Sequence, residues 1–569
     1  MKDYVQPNYL AFYGGHDASF TIYNADQDKF YVIELEKLLG VKHVNWPGNF
    51  QSQKAHDVFQ GDTNAIMSLV RDYVLEIGLL PEFRVAILGS YTGDITHAWR
   101  YTLDPSLFIK YFHVDEICYN KGHQEAHAWC ALMQTPITRG VLVTCDGGGD
   151  DGYFSVSTFD RSKERVTKIA VTKDMRHKLG GQYEEKAQQH LDSIAMSTPI
   201  GLDLAGKVMG AAAYGTPIGA LNDKRWYTHQ GGAHKKLYKE WFAAASYYGE
   251  TNRFRFLNKN HMTWEEEVDT CAQIQKELEE DFLKTLYELC PTFDALLGRH
   301  DNNLVLSGGV ALNIVNNKKL EEKYGCKVWV PCNPGDNGLS FGMLSKWLVQ
   351  NNKLNLDTRR RYDMAFAGPA IRDLDRLDQF IDLYRSSARR VAISDISDFI
   401  KSGDVIALMY GNSETGFRAL GHRSILCDAS IEGIKDKVNL TKRRELYRPF
   451  APICRWEDAH KWFEVEGDNN YKHMNIAVDV KPDAGMSAVT HADGTARLQA
   501  IDESDKVMNE LLKAHGGVFL NTSLNLSGKP ITNSLFEVFH ILERTPLDKL
   551  VIQSGEEFWC FEKYDDEIV

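Results

Sequence analysis

The sequence predicts an α/β protein of two domains, and three observations carry that prediction. At 569 residues the chain exceeds what one ordinary hydrophobic core encloses. Apolar, strand-like runs open repeatedly through glycine-rich turns into helical segments. A polar stretch from Gln350 to Tyr362, rich in Asn and Arg, divides two such regions and places the domains at 1–362 and 363–569. The composition, 43% hydrophobic and 25% charged with 16 prolines, is that of a globular protein. No apolar run reaches bilayer length, and Met1 to Pro7 lacks the apolar core of a signal peptide, so a cytoplasmic location without a membrane partner is expected. Ten cysteines without one Cys-x-x-Cys argue against a zinc ribbon and a disulfide framework. The net charge of −13 gives no general attraction to nucleic acid or an anionic membrane.

Taken in order, residues 8 to 36 read as strand, turn and strand. Tyr9 to Tyr13 leads into Gly14-Gly-His-Asp, Ser19 to Tyr23 follows, and Phe30 to Glu36 closes the unit. A strand at Arg84 to Gly89 precedes a helix carrying His123 and His127. Gly140 to Cys145 is the next strand and ends in Asp146-Gly-Gly-Gly-Asp-Asp-Gly. Between 264 and 290, Cys271, Ile274, Leu278, Phe282, Thr285 and Leu289 keep helical spacing, which predicts a long helix packed on a sheet. Asn303 to Asn313 reads as a strand opening through Gly308-Gly309 into a helix. Beyond the linker come a strand at Asp404 to Leu408, a basic cluster, and a strand at Gly517 to Leu520 before Asn521-Thr-Ser-Leu-Asn525. No internal repeat or low-complexity tract is evident. Loops of this kind turn backbone N–H groups toward an anion. Their recurrence near Gly14, after Asp146 and at Gly308-Gly309 resembles the actin, sugar-kinase and Hsp70 (ASKHA) superfamily, whose two related lobes clamp ATP.

Two constellations carry chemistry. His123 and His127 stand four apart, so on a helix they share a face and can share a cation. In a chain with 19 histidines such a pair alone is a weak signal, but Asp336, on the turn Pro331-Cys-Asn-Pro-Gly-Asp-Asn-Gly, offers a third ligand. Two imidazoles and a carboxylate with open positions suit iron(II), and zinc or manganese fit the same ligands. The second constellation, from 418 to 455, gathers Arg418, Arg423, Lys435, Lys437, Lys442, Arg443, Arg444, Arg448 and Arg455 in an acidic protein. It points to a confined anionic ligand.

Nine motifs in order then resemble the O-carbamoyltransferase family of nodulation and antibiotic-tailoring enzymes. They are Gly15-His-Asp-Ala-Ser19, Gly122-His-Gln-Glu-Ala-His127, Gly206-Lys-Val-Met-Gly-Ala-Ala-Ala-Tyr-Gly215, Ser307-Gly-Gly-Val-Ala-Leu-Asn313, Pro334-Gly-Asp-Asn-Gly338, Phe417-Arg-Ala-Leu-Gly-His-Arg-Ser424, Tyr447-Arg-Pro-Phe-Ala-Pro452, Asp493-Gly-Thr-Ala-Arg497 and Asn521-Thr-Ser-Leu-Asn525. The resemblance implies a two-lobed actin/Hsp70-like N-terminal domain followed by a YrdC-like α/β domain. It implies an ATP-dependent O-carbamoyltransferase that converts carbamoyl phosphate and ATP to carbamoyl-adenylate and passes the carbamoyl group to an acceptor hydroxyl. The acceptor would be a sugar, another natural product, or a hydroxymethyl pyrimidine in a nucleotide or DNA.

By the same resemblance, Lys442-Arg443-Arg444 and Ser523-Leu-Asn525 match the YrdC pattern. Arg418, Arg423, Lys442, Arg444, Arg448, Arg497, Asn521, Ser523 and Asn525 would hold carbamoyl phosphate and ATP, the latter with Mg2+. Arg443 is expected to point away, on an extended strand. His123, His127 and Asp336 would hold Fe2+ or another divalent transition metal. Two roles are open to Asp146: fourth ligand, or base toward the acceptor hydroxyl. Lys207, Gly308, Gly309 and Asn313 would bind the adenylate, and His16 and Asp17 the acceptor. Glu34, Glu36 and Lys37 match an acidic-basic family segment, although Leu38-Leu39 departs from its aromatic-serine run and Lys529 stands where Glu is usual. A homodimer is compatible with all of this. Two alternatives make different predictions: a tRNA threonylcarbamoylation fusion would use threonine and bicarbonate, and a non-catalytic nucleotide-binding regulator would release no pyrophosphate.

Overall fold

The computed structural model describes residues 7–44, 46, 63–89, 105–191, 194, 203–219, 263–356, 362–442 and 444–563. Its first sheet contains β1 (Asn8–Tyr13), β2 (Ser19–Asn24), β3 (Lys29–Glu34), β4 (Glu82–Gly89) and β5 (His113–Asn120) in the order β3-β2-β1-β4-β5. The second contains β6 (Arg139–Cys145), β7 (Phe154–Asp160), β8 (Arg165–Thr172), β9 (Asn303–Ser307) and β10 (Lys327–Trp329) in the order β10-β9-β6-β7-β8. In both, two antiparallel hairpin pairings are followed by two parallel ones, so one topology occurs twice. The sequence holds no detectable repeat because this duplication is one of backbone path, not of residues.

Strand alternation explains why these strands are buried on both faces. On β1, Leu10 and Phe12 enter one core while Tyr9, Ala11 and Tyr13 enter another. On β6, Val141, Val143 and Cys145 point one way and Leu142 the other. The helix after β5 (His123–Gln134) packs on β6 and β9, and the helix after β10 (Leu339–Gln350) packs on β1, β2 and β4, so each covers the other half's sheet.

The long helix spans Trp264–Leu289 and begins at a capping box between Thr263 and Glu266. It buries Cys271, Ile274, Leu278, Phe282 and Thr285 as expected, with Leu286 in place of Leu289. It packs chiefly on helices Leu204–Ala212 and Leu179–His190, and only secondarily on strands β7 and β8.

The C-terminal region contains β11 (Arg389–Val391), β12 (Ile406–Met409), β13 (Arg423–Asp428), β14 (Ala451–Arg455), β15 (Val478–Asp479), β16 (Thr495–Ala496), β17 (Gln499–Ile501), β18 (Phe519–Ser523), β19 (Lys549–Ser554) and β20 (Glu557–Phe561). Its main sheet has the order β11-β20-β19-β12-β13-β18-β14-β17, and β15 and β16 pair separately. Leu354 and Leu356, inside the expected polar linker, are buried in the N-terminal core. Ala367 still joins that core and Ile371 the C-terminal one, and Leu420, Ala451 and Met474 also pack in the N-terminal core. Asn521 and Ser523 lie within β18 rather than after it. Lys442 ends the helix Ile434–Lys442 instead of lying on an extended strand, and Arg443 is outside the described residues. Among the described residues no helix is long and apolar enough to cross a membrane.

Candidate functional site

His123 and His127 stand one turn apart on a helix whose start is fixed by the loop after β6. Asp150 accepts hydrogen bonds from the N–H groups of Gly122 (3.0 Å) and His123 (2.8 Å), and Asp151 from Gln124 (2.7 Å) and Glu125 (3.2 Å). These carboxylates satisfy the exposed donors and the positive end of the helix. The Asp146-Gly-Gly-Gly-Asp-Asp-Gly loop therefore caps the histidine helix with its own acids, where the sequence suggested an anion loop. Asp336 opens a short turn leading into Leu339–Gln350. That helix meets the histidine helix at Gly342, where a Cβ would lie 1.9 Å from the Ala126 carbonyl oxygen.

The four side chains converge. The Nε2 atoms of His123 and His127 are 3.1 Å apart, and each is 3.4 Å from Asp336 Oδ1. Asp146 Oδ2 lies 3.1 Å from His123 and 3.9 Å from His127. Metal bonds of about 2.1 Å separate neighbouring ligand atoms by roughly 3.0–3.4 Å, close to these distances. His127 Nδ1 and Asp336 Oδ1 are buried without hydrogen-bond partners among the described residues. The donor set thus fits a divalent transition metal. Tyr13 donates to Asp336 Oδ2 (2.6 Å), and the Gly309 N–H donates to Asp146 Oδ1 (2.7 Å), fixing both carboxylates. Burial opposes charge on His123, but Asp336 and Asp146 outweigh it and hold its pKa well above the usual imidazole value. Burial likewise opposes ionisation of Asp146, and the two imidazoles overcome it.

His16 and Asp17 border this pocket. His16 Nε2 is 3.1 Å from Asp336 Oδ2, and its Nδ1 is 2.9 Å from Asp17 Oδ2. Asp17 Oδ1 meets His43 Nδ1 at 2.7 Å, and Glu36 lies close enough to make Asp17, Glu36 and His43 a second buried acid-imidazole group.

The cationic pocket assembles Arg418, Lys442, Arg444, Arg448 and Arg497. Lys442 donates to the Ser523 carbonyl and to Asn525 Oδ1 in very short contacts, to the Asn525 carbonyl at 2.8 Å and to Ser523 Oγ at 3.3 Å. Burial first, then Arg444, Arg448 and Lys42, press its pKa well below the usual lysine range. Burial, then Arg418, Arg444 and Arg448, do the same to Arg497. The buried Nε atoms of Arg418, Arg444 and Arg497 have no hydrogen-bond partner among the described residues. Charges crowded this way call for an anion.

Other expected residues serve the fold. Arg423 is buried and donates to Asn533 and to the carbonyls of Tyr410, Gly411 and His422, which leaves it turned away from the pocket. Asn521 donates to the Ala419 carbonyl and to Gln499. Gly308 has φ +89 and a Cβ there would lie 2.3 Å from the Cys145 carbonyl oxygen; its N–H bonds to Pro334, while that of Gly309 is taken by Asp146. Asn313 caps the helix Ile314–Tyr324 and pairs with Gln275. Each of these groups has a hydrogen-bond partner within the fold. Lys207 joins Glu445 at 2.5 Å, beside the cationic pocket rather than the Gly308 loop. The sequence reading missed Tyr13, Lys42, His43, Asp150, Asp151, Asn337 and Glu445. Asp150, Asp151 and Asn337 stand inside motifs read for other residues, whereas Tyr13, Lys42, His43 and Glu445 belong to no spaced motif.

The α/β chain thus carries two candidate sites, a buried group of two imidazoles and carboxylates and a cationic pocket. The chain belongs to the carbamoyltransferase family: the model of the carbamoyltransferase N-terminus matches residues 49–343, and that of the C-terminus matches 397–556. Nodulation protein NolNO of Sinorhizobium fredii is 28% identical over 462 residues, covering 76% of this chain and 63% of that protein. NolO of Bradyrhizobium diazoefficiens is 28% identical over 468 residues, covering 76% and 77%. The 3'-hydroxymethylcephem-O-carbamoyltransferase of Streptomyces clavuligerus is 35% identical over 163 residues, covering 28% of this chain and 31% of that enzyme. The chain thus spans less than two thirds of the length of the first of these relatives.

Proposed function

We propose that the protein is an ATP-dependent O-carbamoyltransferase with two centres, the C-terminal one forming carbamoyl-adenylate and the N-terminal one transferring the carbamoyl group to a hydroxyl. The observation that carries this reading is the group of buried, mutually repelling cations around Lys442, anchored by Ser523 and Asn525. The twice-used sheet topology supports an actin-like N-terminal half.

A carbamoyl group is a weak electrophile because nitrogen donates into its carbonyl, so an activated leaving group is needed. Water would hydrolyse carbamoyl phosphate to carbamate and phosphate, and a carbamate oxygen would then attack the α-phosphorus of ATP, with Mg2+, and expel pyrophosphate. Arg418, Arg444, Arg448 and Arg497 would neutralise the phosphates, with guanidinium suited to bidentate contacts, and Lys442 would bind as a compact charge fixed by its four acceptors. Burial would keep water from the mixed anhydride.

At the second centre the acceptor oxygen would bond to the carbamoyl carbon, the C–O bond to AMP would break, and the hydroxyl proton would pass to a carboxylate. Iron(II), or zinc or manganese, held by His123, His127 and Asp336 would polarise the phosphate or carbamoyl oxygen. Asp146 Oδ2 within reach of both imidazoles supports its role as fourth ligand. The His16–Asp17 pair, bordering that group, would then bind and orient the acceptor hydroxyl. The cephem relative's name supports a primary hydroxyl as acceptor.

The test is pyrophosphate release from ATP with and without carbamoyl phosphate, under anaerobic iron(II). Release that depends on carbamoyl phosphate, is lost in Lys442→Ala and is kept in His123→Ala supports two centres. Folded, metal-loaded protein that releases none contradicts adenylation.

A further inference from the structure

Glu34 and Lys37 form an ion pair at 2.5 Å with both side chains buried, on a segment to which the proposed reaction gives no role. A buried pair costs desolvation and persists where further hydrogen bonds fix its geometry. Here those bonds run to two distant parts of the chain. Glu34 Oε1 accepts from Asn337 Nδ2 (2.8 Å), the residue after Asp336, and from the Gly416 N–H (2.8 Å), two residues before Arg418. Lys37 donates to the carbonyls of Glu414 (2.5 Å) and Gly416 (2.9 Å). Gly416 has φ +90, and a Cβ there would lie 2.8 Å from the Cys332 carbonyl oxygen, so this loop is seated directly on the turn that carries Asp336. One carboxylate oxygen therefore touches the turn bearing a metal-ligand candidate and the loop bearing an anion-binding arginine.

We infer that Glu34 is a positioning residue, supported by Lys37, that sets the metal-ligand turn and the anion-binding loop in register. This rests on the two-centre reading above. The link is short and continuous, from Asp336 through Asn337 to Glu34, then through Gly416 to Arg418. A residue that merely stabilised the fold would lower the melting temperature without moving affinity in both pockets of the folded protein. Glu34 instead controls both, and its neighbours separate the two arms.

The experiment uses the full chain and two simple probes, Co2+ titrated into apoprotein by its visible absorption and inorganic pyrophosphate by calorimetry. His127→Ala should weaken Co2+ only, and Arg497→Ala pyrophosphate only. Glu34→Gln, with native circular dichroism, should weaken both by roughly tenfold or more, as loss of a residue orienting ligands does. Asn337→Ser keeps the Lys37 and Gly416 contacts, so it should weaken Co2+ alone; it also serves if Glu34→Gln does not fold. Glu34→Gln binding both probes within about threefold of wild type overturns the inference, as does Asn337→Ser weakening pyrophosphate as much as Co2+. Wild type that binds neither probe overturns the two-centre reading and the inference with it.

Discussion

Lys442 shows how a single side chain can be costly to the fold and central to the proposed chemistry. It is buried against like charges, and its four acceptors hold it there. Lys442→Met should lower carbamoyl phosphate-dependent pyrophosphate release by at least about 100-fold, the scale of losing one fixed donor to developing charge. The ligand-free variant should melt no lower than wild type while losing the stabilisation that pyrophosphate gives the native protein, both read by thermal scanning. Glu36 supplies a pH signature. Burial, then repulsion from Asp17, raises its pKa from 4.5 to about 7. As pH rises through that window the unfolded chain gives up its proton first, so this group makes stability fall. Glu36→Gln should remove the fall and stabilise the protein at pH 8 by on the order of 2 kcal/mol, measured by urea unfolding at pH 5 and 8. An unchanged slope would contradict the assignment. Such residues were only partly legible: the His-x-x-x-His spacing and the basic cluster stand in the sequence, whereas the burial of Glu36 beside Asp17 and of Lys442 beside Ser523, Asn525 and Lys42 arises only on folding.

At the scale of elements, the histidine helix is held by two devices, a cap in trans and a close crossing. Asp150→Ala should cost about 1–2 kcal/mol of stability through lost capping, and should weaken Co2+ binding because the first turn carries His123. Gly342→Ala should cost up to about 3 kcal/mol by chemical denaturation, since its methyl meets the Ala126 carbonyl. A neutral Gly342→Ala would show that the two helices are less closely joined. Helical periodicity gave the long helix Trp264–Leu289 almost residue for residue, and strand-glycine alternation located β1, β6, β9 and β12. What glycine-rich loops do was less legible. The same spacing that can cradle a phosphate serves here to cap a helix with Asp150 and Asp151 and to orient Asp146. Backbone N–H groups are equally satisfied by either partner.

The whole molecule places its two candidate centres by repeating one sheet topology and then joining a different α/β unit to it. His123 and His127 follow β5, the last strand of the first sheet. Asp336 follows β10, the last strand of the second, and His16 and Asp146 sit on the equivalent turns after β1 and β6. The candidate metal-ligand group is therefore complete only when both halves pack, and the loop from Glu414 to Arg418 joins the C-terminal region to them. No periodicity in the sequence reveals this, since each contact joins segments far apart in the chain. The central claim is that the C-terminal centre makes an activated carbamoyl group which the N-terminal centre consumes. The most direct measurement incubates 13C-carbamoyl phosphate, ATP and Mg2+ with His127→Ala protein and follows the nucleotides by mass spectrometry. The account predicts 13C-labelled carbamoyl-AMP in that variant and none in Lys442→Met. Pyrophosphate release without a labelled adenylate, or equal label in both variants, would contradict it.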